Sequence, residues 1–282
     1  MLTTIARLIR PGAGNSKPQN PLLSLVIDTV GSSITKVRHF EEQLAPAIEF
    51  ACDYFDRQIG TIPGPFEISA DATSRDPIIA KIFSSPDNIV VALGRSIEVR
   101  ESLPALAGHG HKDVHALLGM RYKPLDEADD QQAILVDHTI RSLAPKEGDA
   151  RDYLRLVAFS RLVRGFAEHV DKLRRKEKLL KLEWNIQSEL PGSSSPSDGE
   201  EFVYAAEELT PENLLKGLVA WLNSPATHFR IDPQGIRLSD LVLPTLHTAD
   251  RRHWLVCMVK FSCQDGLDAL GKESRTHRYI FI

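Results

Sequence analysis

Residues 149 to 184 read DARDYLRLVAFSRLVRGFAEHVDKLRRKEKLLKLEW, and the spacing of their apolar side chains decides how the chain is read. Leu156, Phe159, Val163, Phe166, Val170, Leu173, Leu180 and Trp184 return at steps of three, four and once seven residues, the period that lines up one face of an α-helix. The spacing predicts a helix from about Asp149 to Glu189, a rod of roughly 60 Å at the α-helical rise per residue.

Working outward, residues 22 to 59 carry a second stripe: Leu23, Val26, Val30, Val37, Phe40, Leu44, Ala47, Ala51 and Tyr54. Pro46 has no N–H and crowds the preceding turn, so a kink or restart is expected near Gln43. Two rods of similar length, each with one apolar stripe, bury those stripes most simply against each other. Between them, Asp76-Pro77 and Ser85-Pro86 are helix starts, with proline where its missing N–H costs nothing. Alternation at Val114, Ala116, Leu118 and Met120, then at Ile134, Val136, His138 and Ile140, predicts two strands joined through a long polar loop over DEADDQ.

PGSSSPSDGE, residues 191 to 200, reads as a linker. Beyond it, Thr210-Pro211 starts a helix. FRIDPQGIRL is expected to fold back at a turn from Asp232 to Gly235, and HWLVCMVKFS and HRYIFI follow as strands. WLVCMV is apolar on both faces, as in a covered central strand. The expected fold class is α+β and predominantly helical: two long amphipathic helices in a hairpin or bundle, an inserted β-hairpin, and a small C-terminal α+β module. The expected division is a flexible segment 1–21, a helical domain 22–190 with its insertion at about 60–148, the linker 191–200, and a module 201–282.

With 42% hydrophobic and 26% charged residues, the composition excludes a disordered or fibrous chain. A net charge of −4 gives no global attraction to nucleic-acid phosphates, so any such contact must be a local patch. Cys52, Cys257 and Cys263 form no C-x-x-C pair and leave one cysteine over, which suits a reducing cytoplasm. No apolar run is long enough for a membrane span. In PGAGNSKPQNP, Ser16 and not glycine precedes Lys17, which departs from a phosphate-binding loop.

GHGHKDVH, residues 108 to 115, resembles the H-x-H-x-D-H signature of the metallo-hydrolases, with Val114 intervening before the last histidine. The resemblance implies a metal-dependent hydrolase with His109, His111, Asp113 and His115 as ligands. The residues themselves favour a glycine turn with His109 and His111 in solvent, so no metal or cofactor is expected. Asp137-His138 has no G-x-S-x-G nucleophile elbow to serve, and His138 is read as a half-buried structural histidine.

The run DKLRRKEKLLK, residues 171 to 181, distributes its charges around every side of the helix except the inward stripe. Leu179, Leu182 and Ile186 fall outside that stripe and lack a core role. Arg251 and Arg252 form a second basic cluster. The sequence therefore favours a cytosolic macromolecule-binding protein, adaptor or regulatory, with no catalytic site. Its partner is another protein, or a second copy engaged through the long helices, at Leu179, Leu182, Ile186, Arg174, Arg175, Lys178, Arg251 and Arg252. The alternatives are a nucleic-acid or ribosome-associated protein using helix 171–181, then the metal-dependent hydrolase.

Overall fold

The segment HWLVCMVKFS is buried from Leu255 to Val259 on both of its faces, and it forms the strand around which a six-stranded sheet is built. The computed structural model describes residues 20–126, 129–189, 203–238, 241–248 and 253–276. The lead-in up to residue 19, the 191–200 linker and the HRYIFI run lie outside the described residues. The helices are α1 (Pro21–Val30), α2 (Phe40–Gly60), α3 (Ala72–Arg75), α4 (Pro77–Phe83), α5 (Pro86–Arg95), α6 (Ile97–Gly108), α7 (Glu147–Glu189), α8 (Pro211–Leu222) and α9 (Cys263–Thr276). The strands are β1 (Phe66–Glu67), β2 (Asp113–Asp126), β3 (Asp129–Ala144), β4 (Phe229–Leu238), β5 (Leu241–Thr248) and β6 (His253–Ser262). Two compact units share them: Phe55–Val157 with Ala226–Ile282, and Met1–Tyr54 with Ala158–Pro225.

The first of these units holds the sheet, in the order β3-β2-β6-β5-β4. One edge of β6 pairs antiparallel with β2, from Met120↔Leu255 to Asp113↔Ser262. Its other edge is shared: β5 takes His253 to Leu255, and β1 runs parallel along Val259 and Lys260. Val114, Ala116, Leu118 and Met120 alternate on β2 and point with Cys257, Val259 and Phe261 into one core. Helices α4, α5 and α6 pack on β3, and α9 packs on α5 and α6, closing that core with Ile79, Phe83, Leu93, Val99 and Leu103.

Local capping chemistry sets the helix starts. Asp76 accepts a hydrogen bond from the Ile78 amide at 2.8 Å and Ser85 one from the Asn88 amide at 3.4 Å, each just before a proline at the first helical position. Ser96 separates α5 from α6. Its hydroxyl accepts from the Val99 amide and donates to the Ile140 carbonyl of β3, both at 3.2 Å, tying the cap to the sheet.

The end of α2 is closed by Arg151 of α7. Its guanidinium donates to the Ile59 and Ile62 carbonyls at 2.7 and 3.0 Å and to Glu147 at 2.8 Å. Helix-terminal carbonyls need such donors. Arg151→Ala is therefore expected to destabilise this unit by about 2–3 kcal/mol, the scale of charge-assisted hydrogen bonds left unmade. Urea unfolding checks it, and a midpoint equal to wild type would refute the role.

The second unit is helical in its described residues. Asn20 caps α1 through the Leu22 amide, at 3.1 Å. Phe159, Leu162, Val163, Phe166 and Val170 of α7 are buried, as are Leu214, Leu215, Leu218 and Leu222 of α8. The indole of Trp221 donates to the Leu162 carbonyl at 3.0 Å and meets Phe166 edge-on at 5.7 Å.

The expected fold class is overturned. The strands form one six-stranded sheet rather than a small inserted hairpin and a separate C-terminal module, because β6 from the C-terminal part lies directly between β2 and β5. The two rods do not match either: α7 has 43 residues and α2 has 21. The first apolar stripe is broken at Gly31, whose φ of 108° leaves the helical region, and not at Pro46, which α2 accommodates in its interior. The Asp232–Gly235 segment is an irregularity within the single strand β4 rather than a hairpin turn. The acidic DEADDQ stretch lies mostly within the ends of β2 and β3, whose pairing runs to Asp126↔Asp129.

Candidate functional site

The GHGHKDVH side chains are dispersed among separate structural tasks. His109 caps α6, its Nδ1 at 2.6 Å from the Ala105 carbonyl. Gly110 turns the chain with φ of 81°, and His111 is exposed. Asp113 is paired with Lys260 across the β2–β6 ladder at 3.1 Å, and the His115 Nδ1 lies 3.3 Å from the Pro145 carbonyl. Among the described residues no group of three or more His, Cys, Asp or Glu side chains converges as a metal site.

His138 stacks on Phe83 at 4.6 Å, and its Nε2 lies 2.8 Å from the Ile82 carbonyl, which it meets as a donor. Burial lowers its pKa, opposed by that hydrogen bond and by Asp137. His228 and His247 are lowered too, burial being the first cause in both. Below the ordinary histidine value of 6.5 the unfolded chain takes up protons that these folded side chains resist. Their contribution to stability is thus fully present above that value and is lost as pH falls from it toward the lowered folded values. His138→Gln, which keeps a donor but cannot titrate, is expected to flatten the fall in urea midpoint between about pH 7 and pH 5. An unchanged slope would contradict this.

The cysteines offer no nucleophile in the sheet: burial pushes the Cys257 thiol up to about 12, far from the lowered values of reactive thiols. Cys263, directly after β6, begins α9.

The distal part of α7 presents a different surface. From Leu173 onward its inward stripe is only half-buried, at Leu173, Leu180 and Trp184. On the other side Leu179, Leu182 and Ile186 are 60%, 58% and 62% exposed. Steps of three and four residues place these three on one helical face, forming an aliphatic ridge. Arg174, Arg175, Lys178 and Lys181 are exposed around it. Arg174 is paired with Asp171 at 3.1 Å, and the Arg175 Nε donates to the Asp171 carbonyl at 3.3 Å. Arg251 and Arg252 lie outside the described residues. A cross-strand pair at the end of the sheet, His247 on β5 and His253 on β6, has no local signature in the sequence, because it depends on the pairing of β5.

Among the described residues no helix is long and apolar enough to cross a membrane. Comparison of the chain with family models, curated proteins and solved structures finds no match in any of the three.

Proposed function

We propose that the protein is a cytosolic binding protein, adaptor or regulatory in role, that engages another protein through the distal part of α7. The observation that carries this reading is the ridge of Leu179, Leu182 and Ile186, three large aliphatic side chains left in water on one face of one helix. Exposed apolar residues are unremarkable singly, but an aligned set rimmed by charge is the form of a helix-docking surface.

Charge selects the partner. Residues 171 to 186 hold Lys172, Arg174, Arg175, Lys176, Lys178 and Lys181 against Asp171, Glu177 and Glu183, a net charge of +3. A second copy would bring two such positive stretches together, whereas an amphipathic helix with acidic flanks complements the rim. Nucleic acid would use the basic side chains but leave the ridge unexplained, and Asp171 already engages both Arg174 and Arg175.

Fluorescence anisotropy at physiological salt tests the proposal with three probes: an amphipathic helical peptide with Leu on one face and Glu on the flanks, the same peptide with Lys flanks, and single-stranded RNA. The acidic peptide is expected to bind the full chain most tightly. Tighter binding of RNA, falling steeply with added salt, would replace this reading with the nucleic-acid one.

A further inference from the structure

The end of the sheet opposite the β1 pairing sets Arg230, His247 and His253 side by side across β4, β5 and β6, since Arg230 pairs with His247 and His247 with His253. The Nδ1 atoms of the two histidines are 3.0 Å apart, and their rings meet edge to face at 75° with centroids 4.7 Å apart. Two imidazoles meeting through the same ring atom can share a proton, or they can share a cation. We propose that His247 and His253 form a two-histidine chelate for a late divalent transition-metal ion, copper(II) or nickel(II), with solvent completing its coordination.

Two features support a chelate. Imidazole nitrogen is a preferred donor for these ions, at about 2.0–2.1 Å, and an ion at that distance from two nitrogens 3.0 Å apart subtends about 90°. That angle matches neighbouring positions of a square-planar or octahedral ion better than a tetrahedral one. Next, the residues are directly opposed on antiparallel strands, so the ladder fixes the spacing of their Cβ atoms and little side-chain ordering is left to do. The His247 Nε2, which carries the ring proton when Nδ1 binds an ion, is buried and has no hydrogen-bond partner among the described residues.

The groups acting on His247 are His253 from β6 and Arg230 and Asp232 from β4. Arg230 and Asp232 oppose each other in sign. Asp232 also accepts from the Gln234 amide at 3.0 Å, which holds it in the strand irregularity. With two protein ligands the site ranks ions by their intrinsic preference for nitrogen, copper(II) above nickel(II) and both far above manganese(II).

The test is calorimetric titration of the metal-stripped full chain with copper(II), nickel(II) and manganese(II) chlorides, followed by electron paramagnetic resonance of the copper form. The expected result is one tight equivalent of copper(II) with hyperfine structure from two imidazole nitrogens. Affinity should fall at least about tenfold, or 1.4 kcal/mol, in His247→Asn and in His253→Asn. His253 is exposed, so its variant keeps the proposal testable if the His247 variant fails to fold. The His109→Ala plus His111→Ala variant should bind as wild type. Binding that survives both single asparagine variants, binding abolished by the His109 and His111 replacement, or no one-equivalent isotherm would overturn the proposal. None of these outcomes bears on the α7 ridge.

Discussion

Gly64→Ala is expected to lower the stability of the sheet-bearing unit by at least about 3 kcal/mol, which for a marginally stable fold removes a large part of the total. Gly64 has φ of 111°, a conformation L side chains rarely adopt, and an added Cβ would press into the Met258 carbonyl of β6. That backbone carbonyl cannot yield cheaply. The Met258 amide donates to the Pro63 carbonyl at 2.8 Å and the Ile68 amide to the Lys260 carbonyl at 2.8 Å, so the segment carrying Gly64 is stitched along the central strand. Chemical denaturation measures the effect, followed by fluorescence of Trp254 on β6 with Trp184 and Trp221 replaced by phenylalanine in both proteins. A wild-type midpoint would mean that this segment does not hold the edge of β6. The contrast with Gly31, which also has positive φ but nothing near its Cβ direction, separates the two causes. Gly31→Ala is expected to show the conformational penalty alone, about 1 kcal/mol.

The second large effect concerns binding. Replacing Leu179, Leu182 and Ile186 together by serine is expected to weaken the acidic amphipathic peptide by about 100-fold or more, because three aliphatic side chains buried at an interface each contribute on the order of 1–2 kcal/mol. The fold should be little affected, since none of the three is buried in the free chain. Charge reversal at Arg174, Arg175 and Lys178 should act more weakly, mostly through the association rate and its salt dependence. If charge reversal abolishes binding and the serine variant does not, the ridge is incidental and the basic rim is the recognition surface.

Features of this fold with a local cause are legible in the sequence, and those set by long-range pairing are not. The capping of α4 and α5 by Asp76 and Ser85 was legible because a cap and its following proline lie within a few residues. The ridge on α7 was legible for a related reason: once a stripe fixes the inward face, the helical period alone puts Leu179, Leu182 and Ile186 away from it.

Strand partnership was not legible. The β5 segment LVLPTLHT carries Pro244 in mid-strand, which argues against a strand, yet β5 pairs with β6 only from Thr245 to His247, past that proline. In β4, Asp232 does make the local side-chain turn that DPQG suggests, its carboxylate accepting from Gln234, but the chain continues along β5 instead of reversing. Helix α9 was hidden by Gly266 and Gly271, which weaken helix propensity. Gly266 is needed there because a Cβ would meet the Leu103 side chain and the ring of Phe261. The His247–His253 pair depends on a register between two strands, a quantity that no single segment carries.

A photocrosslinking scan shows directly whether the distal face of α7 docks a protein. A benzophenone amino acid is placed singly at each position from Arg174 to Ile186 in the full chain, irradiated in the native cell, and each product is treated separately with nuclease and with protease. Crosslinks are expected to peak at Leu179, Leu182 and Ile186, fall between them with the helical period, resist nuclease, and contain a partner polypeptide with an acidic amphipathic segment. Crosslinks spread evenly along the helix, or products destroyed by nuclease, would rule out a protein-docking ridge.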